Sequence, residues 1–211
     1  MDFSTFRFTH QYSTPLTLAI KRGLPDFVNL FLAQGNPLPS DVLHIALKHI
    51  GKRRTSEIIR ALIQHNADVH AISEGNNPLH TLFASDNISL TRDFSSDEFK
   101  YACDISLENA QILVEAGCDI HAKNWGGRTP LDLATTNLQS QSVIQYLLDK
   151  GAHFRSDAIH ALPHGPVIIN PTVVCMMLSE VDAGATSSIG DMHRYVAHFL
   201  RISYWRLRRH L

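Results

Sequence analysis

The chain has little of what enzymes and exported proteins are usually built around. Three cysteines in 211 residues, Cys103, Cys118 and Cys175, fit neither a disulfide framework nor a paired zinc motif, and a reducing compartment is the simpler expectation. No apolar run approaches the roughly 18 residues of a membrane-spanning helix. The opening Met1-Asp2-Phe3-Ser4-Thr5 has no basic region followed by an apolar stretch, so no signal peptide is expected. The formal net charge is only −1, which argues against a protein that holds DNA with its whole surface and leaves local patches open. There is no Gly-x-x-x-x-Gly-Lys loop, no Gly-x-Gly-x-x-Gly and no Gly-x-Ser-x-Gly. These absences predict a soluble, intracellular protein of the cytoplasm or nucleus, with no nucleic-acid partner. With 44% hydrophobic residues, the chain can still bury a sizeable core within one elongated domain.

What is present is a repeated phrase. Thr14-Pro15-Leu16, Asn77-Pro78-Leu79 and Thr129-Pro130-Leu131 each place a polar capping residue and a first-turn proline ahead of a short apolar stretch. A second apolar stretch and a closing loop follow each time. The first unit continues through Phe27, Val28, Leu30, Phe31 and Leu32 to Gln34-Gly35-Asn36-Pro37. A second unit lacks the Thr-Pro but keeps Leu43-His44-Ile45-Ala46, then Ile58, Ile59, Leu62 and Ile63, and closes on Asn66-Ala67-Asp68-Val69-His70-Ala71. Leu43 follows Leu16 by 27 residues, so this unit is shortened near its start. The third resumes at Leu107 to Val114 and closes on Gly117-Cys118-Asp119-Ile120-His121-Ala122; the fourth runs from Thr129 through Val143, Ile144, Leu147 and Leu148 to Gly151-Ala152-His153.

Over residues 12 to 154 this layout resembles the ankyrin-repeat family, whose unit is about 33 residues of turn, helix and helix. Gly117 and Gly151 are 34 residues apart, whereas Asn66 and Gly117 are 51 apart, which places an insertion of about 18 residues inside the third repeat. The resemblance implies an all-α solenoid in which the Thr and His of a Thr-Pro-Leu-His phrase tie neighbouring turns together. Thr14, Thr129, His44 and His80 match those positions, while Thr17 and Asp132 replace the His in repeats one and four. Gly35, Gly117 and Gly151 are expected at helix ends with positive φ, and Leu131 is expected in the core. The domain reading is therefore ankyrin repeats over residues 1–154 with an insertion at 86–105, a degenerate fifth repeat over 155–183, and a linker with a basic amphipathic helix over 184–211.

Within the insertion, Ser95-Ser96-Asp97-Glu98 reads as a capping box for a short extra helix. Ser106-Leu107-Glu108-Asn109 then starts the repeat's own second helix. In the fifth unit, Ile159-His160-Ala161-Leu162 echoes Leu43-His44-Ile45-Ala46, and Asn170-Pro171 opens a second helix through Val173, Val174, Met176, Met177 and Leu178. The last 21 residues place Met192, Tyr195, Val196, Phe199 and Ile202 at helical spacing among Arg194, Arg201, Arg206, Arg208 and Arg209. Such a helix suits a cap over the last repeat better than a membrane or calmodulin ligand, because a solenoid end otherwise exposes its core.

Chemistry is thinly represented. His160 and His164 share i, i+4 spacing, but Pro163 interrupts the helix that would carry them. His193 and His198, five apart, point away from one another on a helix. Cys118 lies near His121, yet it holds a packing position of the closing loop rather than a nucleophile's. No catalytic residue, metal or cofactor is expected. The candidate binding residues lie on the turn tips: Tyr12 in the first, Glu74 and Asn76 in the third, and Lys123, Asn124, Trp125 and Arg128 in the fourth. Trp125 leads because a large aromatic on a projecting tip has little intramolecular reason to be there, and Trp and Arg are enriched among interface hot spots; the alternative is packing on the stem of Arg128 or on the adjacent turn. The expected function is non-catalytic recognition of another protein by a monomeric adaptor or scaffold. The alternatives are an enzyme or accessory subunit with a pocket formed by the insertion and the histidine-containing tail, or a fragment of a longer ankyrin chain.

Overall fold

The computed structural model describes residues 14–49, 54–84, 97–136 and 141–154, with side chains described from residue 104 in the third of these spans and up to residue 135. Tyr12, the fifth unit and the C-terminal helix lie outside these residues. Eight helices follow in order: α1 (Pro15–Arg22), α2 (Pro25–Ala33), α3 (Val42–Lys48), α4 (Thr55–Gln64), α5 (Pro78–Ala84), α6 (Asp97–Glu115), α7 (Pro130–Thr136) and α8 (Gln141–Asp149). Among the described residues the only extended pairing is a bridge between Ser73 and Asn76.

Local chemistry sets the helix ends. Thr14 caps α1 by accepting the Thr17 N–H at 3.2 Å, and Pro15 fills a position whose N–H would have no partner. Thr129 and Asp132 cap α7 reciprocally: the Asp132 N–H donates to Thr129 Oγ1 at 3.3 Å, and the Thr129 N–H donates to Asp132 Oδ2 at 2.9 Å. The closing loops repeat one device. Gly117 and Cys118 donate to the carbonyls of Val114 and Leu113, Gly151 and Ala152 to those of Leu148 and Leu147, and Asn66 and Ala67 to those of Ile63 and Leu62. Gly35, Gly117 and Gly151 have φ of +70°, +94° and +91°, as expected, and Asn66 takes the same role at +60°. A Cβ at any of those three glycines would meet nothing within 4 Å, so backbone angle alone selects the residue, and asparagine serves.

The helices pack as pairs, α1 with α2, α3 with α4, α5 with α6, α7 with α8. The first helices of each pair stack in one layer and the second helices in another. Between the layers runs one core that includes Leu43, Leu47, Ile58, Ile59, Leu62, Leu79, Phe83, Leu113, Leu131, Ile144 and Leu147. Leu131 is 1% exposed, which fixes the register of the fourth repeat.

One expectation is corrected. The short helix expected after Ser95-Ser96-Asp97-Glu98 is not separate from the repeat's own second helix: α6 is a single helix from Asp97 to Glu115. No proline or glycine lies between those residues, and Ser106, read as a helix start, is buried in mid-helix where no new cap is needed.

Asn109 breaks the apolar pattern of the second layer. It stands eight residues before the left-handed closing residue of its repeat, the place that Ile58 and Val143 hold in the neighbouring repeats. It is fully buried, and neither polar atom of its amide has a hydrogen-bond partner among the described residues. A buried amide without a partner costs about 1–3 kcal/mol. Asn109→Leu, nearly the same shape, is therefore expected to raise the urea midpoint and stabilise the fold by about 1–3 kcal/mol. Leu131→Ala is expected to do the reverse, losing about 2–5 kcal/mol by the same measurement.

Candidate recognition surface on the turn tips

The two tips between α4 and α5 and between α6 and α7 are built alike. At the base of each, an aspartate folds the chain back on itself: Asp68 Oδ1 accepts the His70 N–H and Asp119 Oδ1 the His121 N–H, both at 2.8 Å. The third-repeat tip then makes a two-residue hairpin in which Ser73 and Asn76 exchange backbone hydrogen bonds of 3.0 and 2.9 Å around Glu74 (φ +54°) and Gly75 (φ +75°). Two positive φ angles in succession define a type I′ turn, whose twist matches that of paired strands. The fourth-repeat tip closes through Asn124, whose Oδ1 accepts the N–H groups of Gly126 and Arg128, both at 3.0 Å. Its backbone pairs with Arg128 and Gly127 as well.

Adjacent turns are tied by buried polar side chains. His44 places Nε2 3.0 Å from the Ala71 carbonyl and Nδ1 2.7 Å from Thr81 Oγ1. A carbonyl only accepts, so Nε2 carries the proton and the Thr81 hydroxyl donates to Nδ1. His80 reaches the next turn in the same way, with Nε2 2.8 Å from the Arg128 carbonyl. Asn77 Nδ2 donates to the Asp119 carbonyl at 2.8 Å, and Asn124 Nδ2 donates across the tips to Asn76 Oδ1 at 3.1 Å. Lys48 and Glu74 form a solvent-exposed ion pair at 3.2 Å, which contributes little.

A family model described as ankyrin repeats in three copies matches residues 16–158. The chain belongs to the ankyrin-repeat family. No curated protein matches it in a search of such proteins. Ankyrin repeats generally mediate protein–protein interaction and are typically non-catalytic. Among the described residues, no helix of this ankyrin array is long and apolar enough to cross a membrane.

The array brings six of the seven candidate residues, Glu74, Asn76, Lys123, Asn124, Trp125 and Arg128, onto two adjacent tips, while Tyr12 lies outside the described residues. Lys123, Trp125 and Arg128 are exposed, and Trp125 is 86% so. Asn76 and Asn124 are half-buried and bonded to each other, so their amides shape the tips from within. Of the two expectations for Trp125, its indole follows the alternative of packing on the adjacent turn while remaining exposed: its five-membered ring lies over Gly75 of the preceding tip. Sequence reading also passed over Ile72, 64% exposed on the third-repeat tip, and the outward apolar side chains Leu18, Leu24, Phe27 and Leu30 of the first repeat. Only the place of Leu18, Phe27 and Leu30 in the helical register of α1 and α2, not their residue type, marks them as exposed.

Nucleophilic chemistry finds no support at Cys118. Its thiol is buried and its pKa is pushed up to about 11, chiefly by desolvation, so it stays protonated at neutral pH. No group of three or more His, Cys, Asp or Glu able to hold a metal occurs among the described residues.

Burial lowers the His80 pKa below the usual histidine value, outweighing the Arg128 carbonyl and the carboxylates of Asp119 and Asp132, which favour the cation. The unfolded chain therefore takes up a proton at this residue before the folded one does. The stabilisation from the neutral ring is present above about pH 6.5 and is lost as pH falls below that value towards the folded pKa. Thermal melts between pH 7.5 and 5.5 should show stability declining with acidity. In His80→Gln, that part of the slope should disappear while the neutral-pH midpoint drops through loss of the inter-repeat bond.

Proposed function

We propose that this ankyrin array is a non-catalytic recognition module, an intracellular adaptor or scaffold, that binds another protein through the tips of its third and fourth repeats. The observation that carries the reading is Trp125: a large aromatic, 86% exposed, on a tip hydrogen-bonded to the preceding repeat on both sides of it, through the Asn124 side chain and the Arg128 carbonyl. An exposed indole on an ordered support supplies a large apolar contact area with only two side-chain torsions to fix. Lys123 and Arg128 on the same tip add hydrogen-bond donors at the rim, where they favour specificity over affinity. His44 and His80 hold neighbouring turns, and Cys118 fills a core position. These roles support the recognition reading, while the tail that an enzyme's pocket would need lies outside the described residues.

The test is affinity capture from native lysate with the wild-type chain, Trp125→Ala and, as a surface control, Asn29→Ala on the exposed side of α2. A partner of the tips should be retained by wild type and Asn29→Ala and lost from Trp125→Ala. Titration should then show a loss of more than about 1 kcal/mol in binding for Trp125→Ala, with its thermal midpoint almost unchanged. Equal binding by all three proteins would refute the proposal.

A further inference from the structure

We infer that Gly75 is a positioning residue for Trp125: the bare α-carbon of the third-repeat hairpin is the seat on which the indole of the fourth-repeat tip rests, so that the two tips act as one preformed surface. The inference rests on the recognition reading above and adds to it the residue that orients the anchor.

Gly75 sits at the apex of a hairpin, where a residue is ordinarily open to water, yet it is buried. What covers it is Trp125. A Cβ built on Gly75 would collide with Cγ, Cδ2 and Cδ1 of that indole. The closing glycines differ, since a Cβ at Gly35, Gly117 or Gly151 would meet nothing. Gly75 is thus required twice, once by its φ of +75° and once by the ring above it. Inter-repeat hydrogen bonds flank the ring in sequence: Asn124, just before Trp125, donates its side-chain amide to Asn76 Oδ1, and the Arg128 carbonyl, three residues after it, accepts from His80 Nε2.

The ring can therefore be exposed and oriented at once. A partner meeting it need not supply the free energy of ordering that side chain, which for a surface residue is a sizeable part of the affinity of one contact. The outward face, with Lys123 and Arg128 exposed on the same tip, fits an apolar side chain of the partner better than a cation.

The test is a double-mutant cycle between Gly75→Asn and Trp125→Ala. Asparagine tolerates a left-handed φ and suits a type I′ turn, so this substitution adds a side chain under the indole with little backbone strain. The first readout needs no partner. In a Trp205→Phe background, Trp125 is the only tryptophan, and its fluorescence anisotropy decay should show a held ring in Gly75 protein and a freer one in Gly75→Asn. The second readout is affinity for the captured partner: Gly75→Asn should weaken it about threefold to tenfold in the Trp125 background and leave it unchanged in Trp125→Ala. Should Gly75→Asn not fold, the wild-type chain still decides, because a ring over Gly75 shifts its Hα resonances upfield and Trp125→Ala abolishes the shift. An unshifted Gly75, or an indole equally mobile in Gly75 and Gly75→Asn proteins, overturns the seat. Loosening of the indole together with wild-type affinity in Trp125→Ala would overturn the recognition reading instead.

Discussion

A helix of seven to ten residues does not hold itself together in water, and all but one of the helices described here are of that length. Their persistence depends on burial between layers. α3 is ordered because α1 and α5 flank it and α4 lies beneath it, and the same holds for α5 between α3 and α7. Stability in such a stack is a chain of nearest-neighbour interfaces rather than a property of any one unit. The tips inherit their order from it: a hairpin of four residues is marginal alone, and here its feet are fixed by helices whose ends are already capped and stacked.

Polar groups complete what burial begins. The Ala71 and Arg128 carbonyls sit in turns that no helix or sheet satisfies, and each finds a histidine from the preceding repeat. Each bond needs only an imidazole Nε2–H, and at His80 burial disfavours the cation, which makes that inter-repeat contact sensitive to protons. Asn77 performs a third such service towards Asp119, in a position where the other repeats carry threonine or an unrelated residue. One repeat can therefore depart from the family phrase and still reach its neighbour, provided that the replacement keeps a donor at that distance.

Much of the fold was legible because its determinants are local. Thr14-Pro15, Thr129-Pro130 and the glycines of the closing loops announce helix starts and ends through backbone geometry, and the structure places them so. Long-range determinants were less visible. A mid-helix serine and a capping serine look alike in sequence, and only the packing of α6 against α4, α5 and α8 shows that Ser106 lies inside one long helix. Asn109 read as part of a helix start, yet it is a buried polar residue in an apolar row. At the site, residue type pointed to Trp125, but the reason for its orientation lies some fifty residues upstream, at Gly75, which only the fold brings beneath it.

The insertion expected in the third repeat begins between α5 and α6, whereas the tips lie between α4 and α5 and between α6 and α7. The tips join the start of α5 and the end of α6, whereas Ala84 and Asp97 are the opposite ends of those two helices. Variation in the length of one edge is thereby uncoupled from the spacing of the other. Descendants of this chain can gain or lose residues between Ala84 and Asp97 without retuning the surface that carries Trp125, and a reporter domain spliced there would leave that surface free.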